Sequence, residues 1–269
     1  MAGKHSTKGY DESKGQRKRK KRINLRSLLM LVFLVILIFS GYKIIKWFLN
    51  NKENEDVQSN LAQYVEINKE ENDEENKNDK EDNAYKIDFK ALKEINSDTI
   101  GWLKVNGTNI EYAVVQADDN NYYLKHNFEK QNNNAGWIFA DYKNKSDYTD
   151  YNTVIYGHNM RNDSMFGTLK NALKKEWYNK EENRHIVLVT ENGIFKYEIF
   201  SIYEEKVSDY PIQTNFSSDN EYLKFLNTVK DKSIKDFNVE LPAEKGIITL
   251  STCGNDNKNR VIVHAIKEN

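Results

Sequence analysis

One stretch limits this chain more than any other. Residues 27–42 carry no charge, and 28–39 contain no polar side chain at all. As a helix, a run of that length rises roughly 24 Å, short of the roughly 30 Å hydrocarbon core of a bilayer. Ile44, Ile45, Trp47, Phe48 and Leu49 lengthen it, and Lys43 and Lys46 can carry their charges outward along their stems. Residues 27–49 therefore read as a membrane span. Just before it stands Arg17-Lys18-Arg19-Lys20-Lys21-Arg22, and residues 1–26 hold ten Lys/Arg against Asp11 and Glu12. The positive-inside bias then places 1–26 in the cytoplasm and everything after Leu49 outside. A cleaved signal peptide would need a small-residue site after the apolar run. Ser40-Gly41-Tyr42, followed by lysines and bulky apolar residues, supplies a poor one. The reading adopted is an uncleaved single-pass anchor, with the basic cluster setting topology rather than binding nucleic acid.

Residues 50–84 reverse the charge, with twelve Asp/Glu against four Lys. So few apolar side chains cannot offset chain entropy, so the segment is expected to be an acidic flexible linker, with a short helix around 61–67 as a local exception. The overall net charge of −1 averages these opposed blocks. What remains, 85–269, is close to neutral and lacks the basic bias of a nucleic-acid-binding domain. A single cysteine, Cys253, excludes an intramolecular disulfide framework and a multi-cysteine zinc site.

From Tyr85 onward, short Val/Ile/Tyr/Thr-rich runs alternate with Asn, Asp, Gly and Lys clusters. Eight strands are predicted, at 100–105, 112–116, 136–141, 153–156, 185–190, 194–204, 246–252 and 260–267, with Glu191-Asn192-Gly193 as a hairpin turn. Helices are fewer: one at Phe89, Leu92 and Ile95, one over 164–173, and one over 218–231. In the last, Ser218 and Glu221 have capping-box spacing, and Tyr222, Phe225, Leu226 and Val229 form one apolar face. A mainly β domain with inserted helices, closed or nearly closed into a barrel, is the expected fold.

Cys253 ends one strand-like run, and Arg260 opens the next after a short polar loop. A strand–turn–strand layout sets the two on neighbouring strands at one end of the sheet. Most single cysteines are small buried hydrophobes. This one sits at a strand end beside a polar loop, in a domain expected outside the cell. A thiol with an ordinary pKa near 8.5 needs a base or a cation beside it to act as a nucleophile. Of five histidines, His5 falls on the cytoplasmic side, and His126, His185 and His264 read as surface or structural. His158 follows Thr153-Val154-Ile155-Tyr156-Gly157 and so lies just past a strand, where rigid scaffolds present functional groups.

Tyr156-Gly157-His158-Asn159-Met160, Leu250-Ser251-Thr252-Cys253 and Arg260-Val261-Ile262-Val263-His264, in that order, resemble the signature of the sortases. These are membrane-anchored cysteine transpeptidases of Gram-positive bacteria. Val114-Val115-Gln116, Asp119-Asn120-Asn121-Tyr122-Tyr123-Leu124, Gly136-Trp137-Ile138-Phe139-Ala140-Asp141-Tyr142, Ser164-Met165-Phe166-Gly167 and the helix from Ser218 make the resemblance one to class B, spanning about 85–269. It implies an eight-stranded sortase-type barrel with an N-terminal helix and an extra helix before the last two strands. It further implies Cys253 as nucleophile, His158 as general acid/base and Arg260 as stabiliser of the oxyanion. Asn120, Leu124, Ser251 and Thr252 match positions lining the peptide groove. The implied partners are a C-terminal sorting signal of secreted proteins, Asn-Pro-x-Thr-Asn-like or Pro-x-Thr-Gly-like, and an amine of a cell-wall precursor. No cofactor, calcium site or nucleic acid is implied. The rival readings are another extracellular cysteine hydrolase and a non-catalytic surface-binding module. A papain-like hydrolase places its cysteine early, at a helix start, with the histidine downstream; here the order is reversed.

Overall fold

The structure, a computed structural model, describes residues 24–67, 85–206, 213–253 and 259–268. The basic cluster, the core of the acidic stretch and the loop 254–258 lie outside the described residues. The chain divides into two units between Lys46 and Trp47, inside the helix α1 (Leu25–Ala62). In the first unit, apolar side chains stand exposed along the helix, Phe33 and Leu37 at 69% each. Among the described residues, α1 is the one helix long and apolar enough to cross a membrane.

In the second unit the linker expectation needs correction. Residues 50–62 are helical, and Asn51, Asn54, Val57 and Leu61 are buried. Asn54 Nδ2 donates to Gly136 O at 3.0 Å, Gln58 Nε2 donates to Glu111 O, and Asn133 Nδ2 donates to Asn50 O at 2.9 Å. Spacings of three and four residues put Asn51, Asn54, Val57 and Leu61 on one helix face, a sparse stripe that docks with Asn54 and the neighbouring Gln58 and Asn50 backbone tied to the barrel unit. Nor does a helix run over 61–67. α1 stops at Ala62, and β1 (Val65–Ile67) pairs antiparallel with β2 (Tyr85–Ile87).

Asp88 then caps α2 (Phe89–Ile95), its Oδ1 accepting from Ala91 N at 2.9 Å. The eight strands of the main sheet follow: β3 (Thr99–Val105), β4 (Glu111–Val115), β5 (Phe139–Ala140), β6 (Asn152–Gly157), β7 (His185–Thr190), β8 (Gly193–Lys206), β9 (Ile247–Cys253) and β10 (Asn259–Lys267). They close into a barrel in the order β10-β8-β7-β3-β4-β5-β6-β9. The β4–β5 and β6–β9 pairs are parallel and the rest antiparallel. Leu103, Val114, Ile155, Leu188, Leu250 and Val263 have no exposure and fill the core. Each contributes about 1.5–3 kcal/mol by burial. β6 is buried at all six positions, which explains why its apolar run does not alternate.

The helix expected over 164–173 is reduced to a 3-10 turn, Leu169–Leu173. Asp163 and Met165 sit at φ 61° and 51°, left-handed conformations that a right-handed helix cannot include. A short helix α3 (Lys175–Tyr178), which sequence periodicity did not reveal, follows it. α4 (Asp219–Asp231) starts where expected, with Ser218 Oγ accepting from Glu221 N at 3.3 Å. The Glu221 carboxylate bonds Ser217 N at 2.7 Å, one residue before the expected partner. Tyr222, Leu226 and Val229 are buried against Phe200, Ile262 and Ile266, whereas Phe225 is only half-buried.

Candidate active site

Strand register assembles the site. In the parallel β6–β9 pair, Tyr156 lies opposite Ser251 and Gly157 opposite Thr252. The next residues along each chain are His158 and Cys253. In the antiparallel β9–β10 pair, Cys253 is registered with Arg260. Three adjacent strand ends, the first far in sequence from the other two, thus bring His158, Cys253 and Arg260 to one rim of the barrel.

A cavity of about 250 Å³ opens at this rim, and Asn120, Leu124, Ser251 and Thr252 line it together with His158 and Arg260. All four expected groove residues therefore border the same space as the expected base and cation. Tyr156 and Phe139 complete its apolar wall; both stand in motifs quoted above, but neither was named there as a groove residue.

His158 is half-buried, and its Nε2 lies 2.9 Å from Leu124 O. A carbonyl oxygen only accepts, so Nε2 carries the proton, and in the neutral ring Nδ1 is the basic nitrogen. The ring is closely bordered. A Cβ on Gly136, whose φ is +60°, would lie 3.1 Å from His158 Cδ2 and 2.4 Å from Tyr123 O. Glycine is required there both for the left-handed backbone and for the close approach. A Cβ on Gly157 would fall 2.5 Å from Ile138 Cδ1 and 2.7 Å from Phe166 Cγ, so this strand end tolerates no side chain before the histidine.

Two buried polar atoms in the cavity wall lack a hydrogen-bond partner among the described residues: Ser251 Oγ and Arg260 Nε. Buried polar groups are rarely left so. An arginine guanidinium presents its donors as a planar fork, the shape that suits an oxyanion.

The three other histidines among the described residues are each held by neighbouring groups. His126 Nδ1 donates to Tyr122 O at 2.7 Å with its ring stacked on Tyr122, and His185 Nδ1 pairs with Glu268 Oε1 at 2.8 Å. His264, with no exposure, belongs to a buried chain. Thr249 Oγ1 donates to Asn152 Oδ1 at 2.7 Å, so it must accept from His264 Nδ1, and Tyr203 Oη donates to His264 Nε2 at 3.0 Å. Burial, aided by the charge of Lys232, pushes the His264 pKa down to about 3.

The chain is similar to known proteins over most of its length. The family profile described as the sortase domain matches residues 103–268. Sortase B of Listeria monocytogenes is 34% identical over 247 residues, covering 87% of this chain and 93% of that one. Among solved structures, sortase B of Clostridium perfringens is 40% identical with a TM-score of 0.64, covering 67% of this chain and 99% of that one. Sortase B of Bacillus anthracis, in complex with AAEK1, is 35% identical with a TM-score of 0.69, covering 82% and 98%.

Proposed function

We propose, on the premise that this chain belongs to the sortase family and is a sortase B-type cysteine transpeptidase, that Cys253, His158 and Arg260 carry the acyl transfer. The observation that supports this most is the register Gly157–Thr252 and Cys253–Arg260, which sets the three at adjacent strand ends, two of them, His158 and Arg260, lining one cavity. Sortases act on sorting-signal substrates and amine acceptors. In the proposed cycle the Cys253 thiolate attacks the scissile carbonyl carbon of an extended peptide. The oxyanion that forms is met by the Arg260 guanidinium. The C–N bond breaks, the departing amine takes a proton from His158, and a thioester remains. An incoming amine then attacks the thioester and gives a proton to His158, and the thiolate is released, so protons and electrons balance over the cycle. Because Nε2 is held by Leu124 O, Nδ1 is the nitrogen that loads and unloads.

The proposed substrate is a C-terminal sorting signal of the Asn-Pro-x-Thr-Asn or Pro-x-Thr-Gly type, and the proposed acceptor is a peptidoglycan-precursor amine. Hydrolysis in the absence of an amine would make the protein a cysteine endopeptidase of the EC 3.4.22 type. The apolar part of α1 is read as a single-pass anchor, with 1–26 cytoplasmic and the catalytic unit at the cell wall.

Turnover of quenched sorting-signal peptides with and without an added amine tests the assignment. Cys253→Ala is expected to abolish it, since the chain holds no second thiol. His158→Ala should cost about 10²–10⁴-fold, the usual worth of a general acid/base. Arg260→Lys should fail substantially, because the charge survives without the fork. Wild-type turnover by Cys253→Ala would end this reading.

A further inference from the structure

Asn120 and Tyr156, both in the cavity wall, converge on a residue outside it. Asp141 follows β5 directly and is 2% exposed. Its Oδ2 accepts from Asn120 Nδ2 at 2.8 Å and from Tyr156 Oη at 2.8 Å, while its Oδ1 accepts from Lys143 N at 2.9 Å. Asn120 is fixed at its other end as well, its Oδ1 accepting from Tyr142 N at 3.0 Å. A flipped amide would set oxygen against carboxylate and NH₂ against N–H, so one orientation holds.

The consequence is a defined hydrogen-bonding polarity in the wall. One Nδ2 hydrogen of Asn120 goes to Asp141, which leaves its second hydrogen to face an acceptor. The Tyr156 proton also goes to Asp141, which fixes the direction of that hydroxyl. An amide and a hydroxyl oriented by one shared oxygen give the wall a set polarity toward the polar atoms of a peptide group. Surface contacts of ordinary polar residues would leave both rotors free; a buried carboxylate receiving three donors does not.

We propose that Asp141 is a positioning residue of the peptide groove, acting through Asn120 and Tyr156 to orient main-chain polar atoms of the bound signal. The proposal rests on reading this cavity as the sorting-signal site. Asp141→Asn keeps the volume but puts an NH₂ group among donors. Its kcat/KM on whichever quenched peptide the wild type turns over should fall about 10-fold or more, the usual effect of losing a charged hydrogen-bond acceptor. The loss should lie in KM, with alkylation of Cys253 by iodoacetamide at the wild-type rate. In an Asn120→Ala/Tyr156→Phe background the same change should add little. An unchanged KM, or losses that multiply across the combined variants, would overturn the proposal. If Asp141→Asn does not fold, Asn120→Ala, Tyr156→Phe and their double variant carry the test. Losses in KM smaller in combination than their product support a shared anchor, and a full product overturns it. A wild-type protein that turns over neither peptide type removes the underlying reading, and this one with it; a wild-type protein that does, beside an unaffected Asp141→Asn, removes only this one.

Discussion

Replacing Gly136 by alanine probes the link between backbone geometry and the histidine. Its φ of +60° is left-handed, and alanine there costs about 1–2 kcal/mol. The new Cβ would also lie 2.4 Å from Tyr123 O, a backbone atom already fixed by Trp137 N at 2.9 Å. Relief therefore has to come from the backbone, and overpacking of that kind costs about 1–3 kcal/mol. Together these give a loss of about 3 kcal/mol, hence a Tm lower by about 6–12 °C for a unit of this size. The displaced segment runs on into Leu124, whose carbonyl holds His158 Nε2. Turnover should therefore fall at least about 10-fold at temperatures where the variant is still fully folded, since ångström-scale misplacement of a catalytic group has costs of that order or more. Thermal melts by circular dichroism and peptide turnover on the same sample measure the two effects. A Tm within a degree of wild type would refute the steric argument. A large Tm loss with unchanged turnover would refute the claim that the Tyr123–Leu124 backbone positions the histidine.

Two further outcomes follow from burial. On α4, Leu226→Ala should destabilise by about 2–5 kcal/mol, because Leu226 has no exposure, while Phe225→Ala, removing a half-buried ring, should cost well under that; equal losses in urea melts would contradict the assigned face. For His264, a folded pKa of about 3 against about 6.5 unfolded means that the unfolded chain binds the extra proton between those values. Stability is then complete above pH 6.5 and declines as pH falls, by roughly 2 kcal/mol between pH 7.5 and 5 at ~1.4 kcal/mol per pK unit. Tm measured across that range should drop for the wild type and drop less steeply for His264→Gln; parallel slopes would exclude His264 as the source.

The barrel was legible because its strands are local signals. All eight predicted segments form strands of the barrel, with bounds moved by one or two residues except at 136–141, where only Phe139–Ala140 pair. There Gly136 and the flanking loop use their hydrogen bonds on Asn133 and Tyr123 instead. Helical order in 50–62 was hidden by composition, since two asparagines and two aliphatics dock a helix that average polarity assigns to solvent. Met165 misled in the opposite way, its apolar spacing looking helical while its φ of 51° breaks the helix. At the cavity, Asn120, Leu124, Ser251 and Thr252 came from motif resemblance. Asp141 did not, although it stands in one of the quoted motifs, because only the folded chain shows which donors meet its carboxylate.

The long-range pairing of β6 with β9 explains why the site is built on strand ends rather than on loops. Eighty-nine residues separate Gly157 from Ile247, so nothing local places His158 beside Cys253; the parallel ladder from Asn152–Ile247 to Gly157–Thr252 does. A one-residue slip in that ladder would shift His158 along the rim and also exchange the two buried faces of β6, setting each side chain into packing shaped for its neighbour. Burial of all six β6 residues therefore protects the register of the proposed catalytic residues as well as the core. The same holds across β9–β10, where Val261 and Val263 in the core keep Arg260 opposite Cys253. Loops between these strands can vary in length without moving the three residues apart, whereas substitutions that loosen the β6 or β10 core should reduce turnover even when they lie far from the cavity.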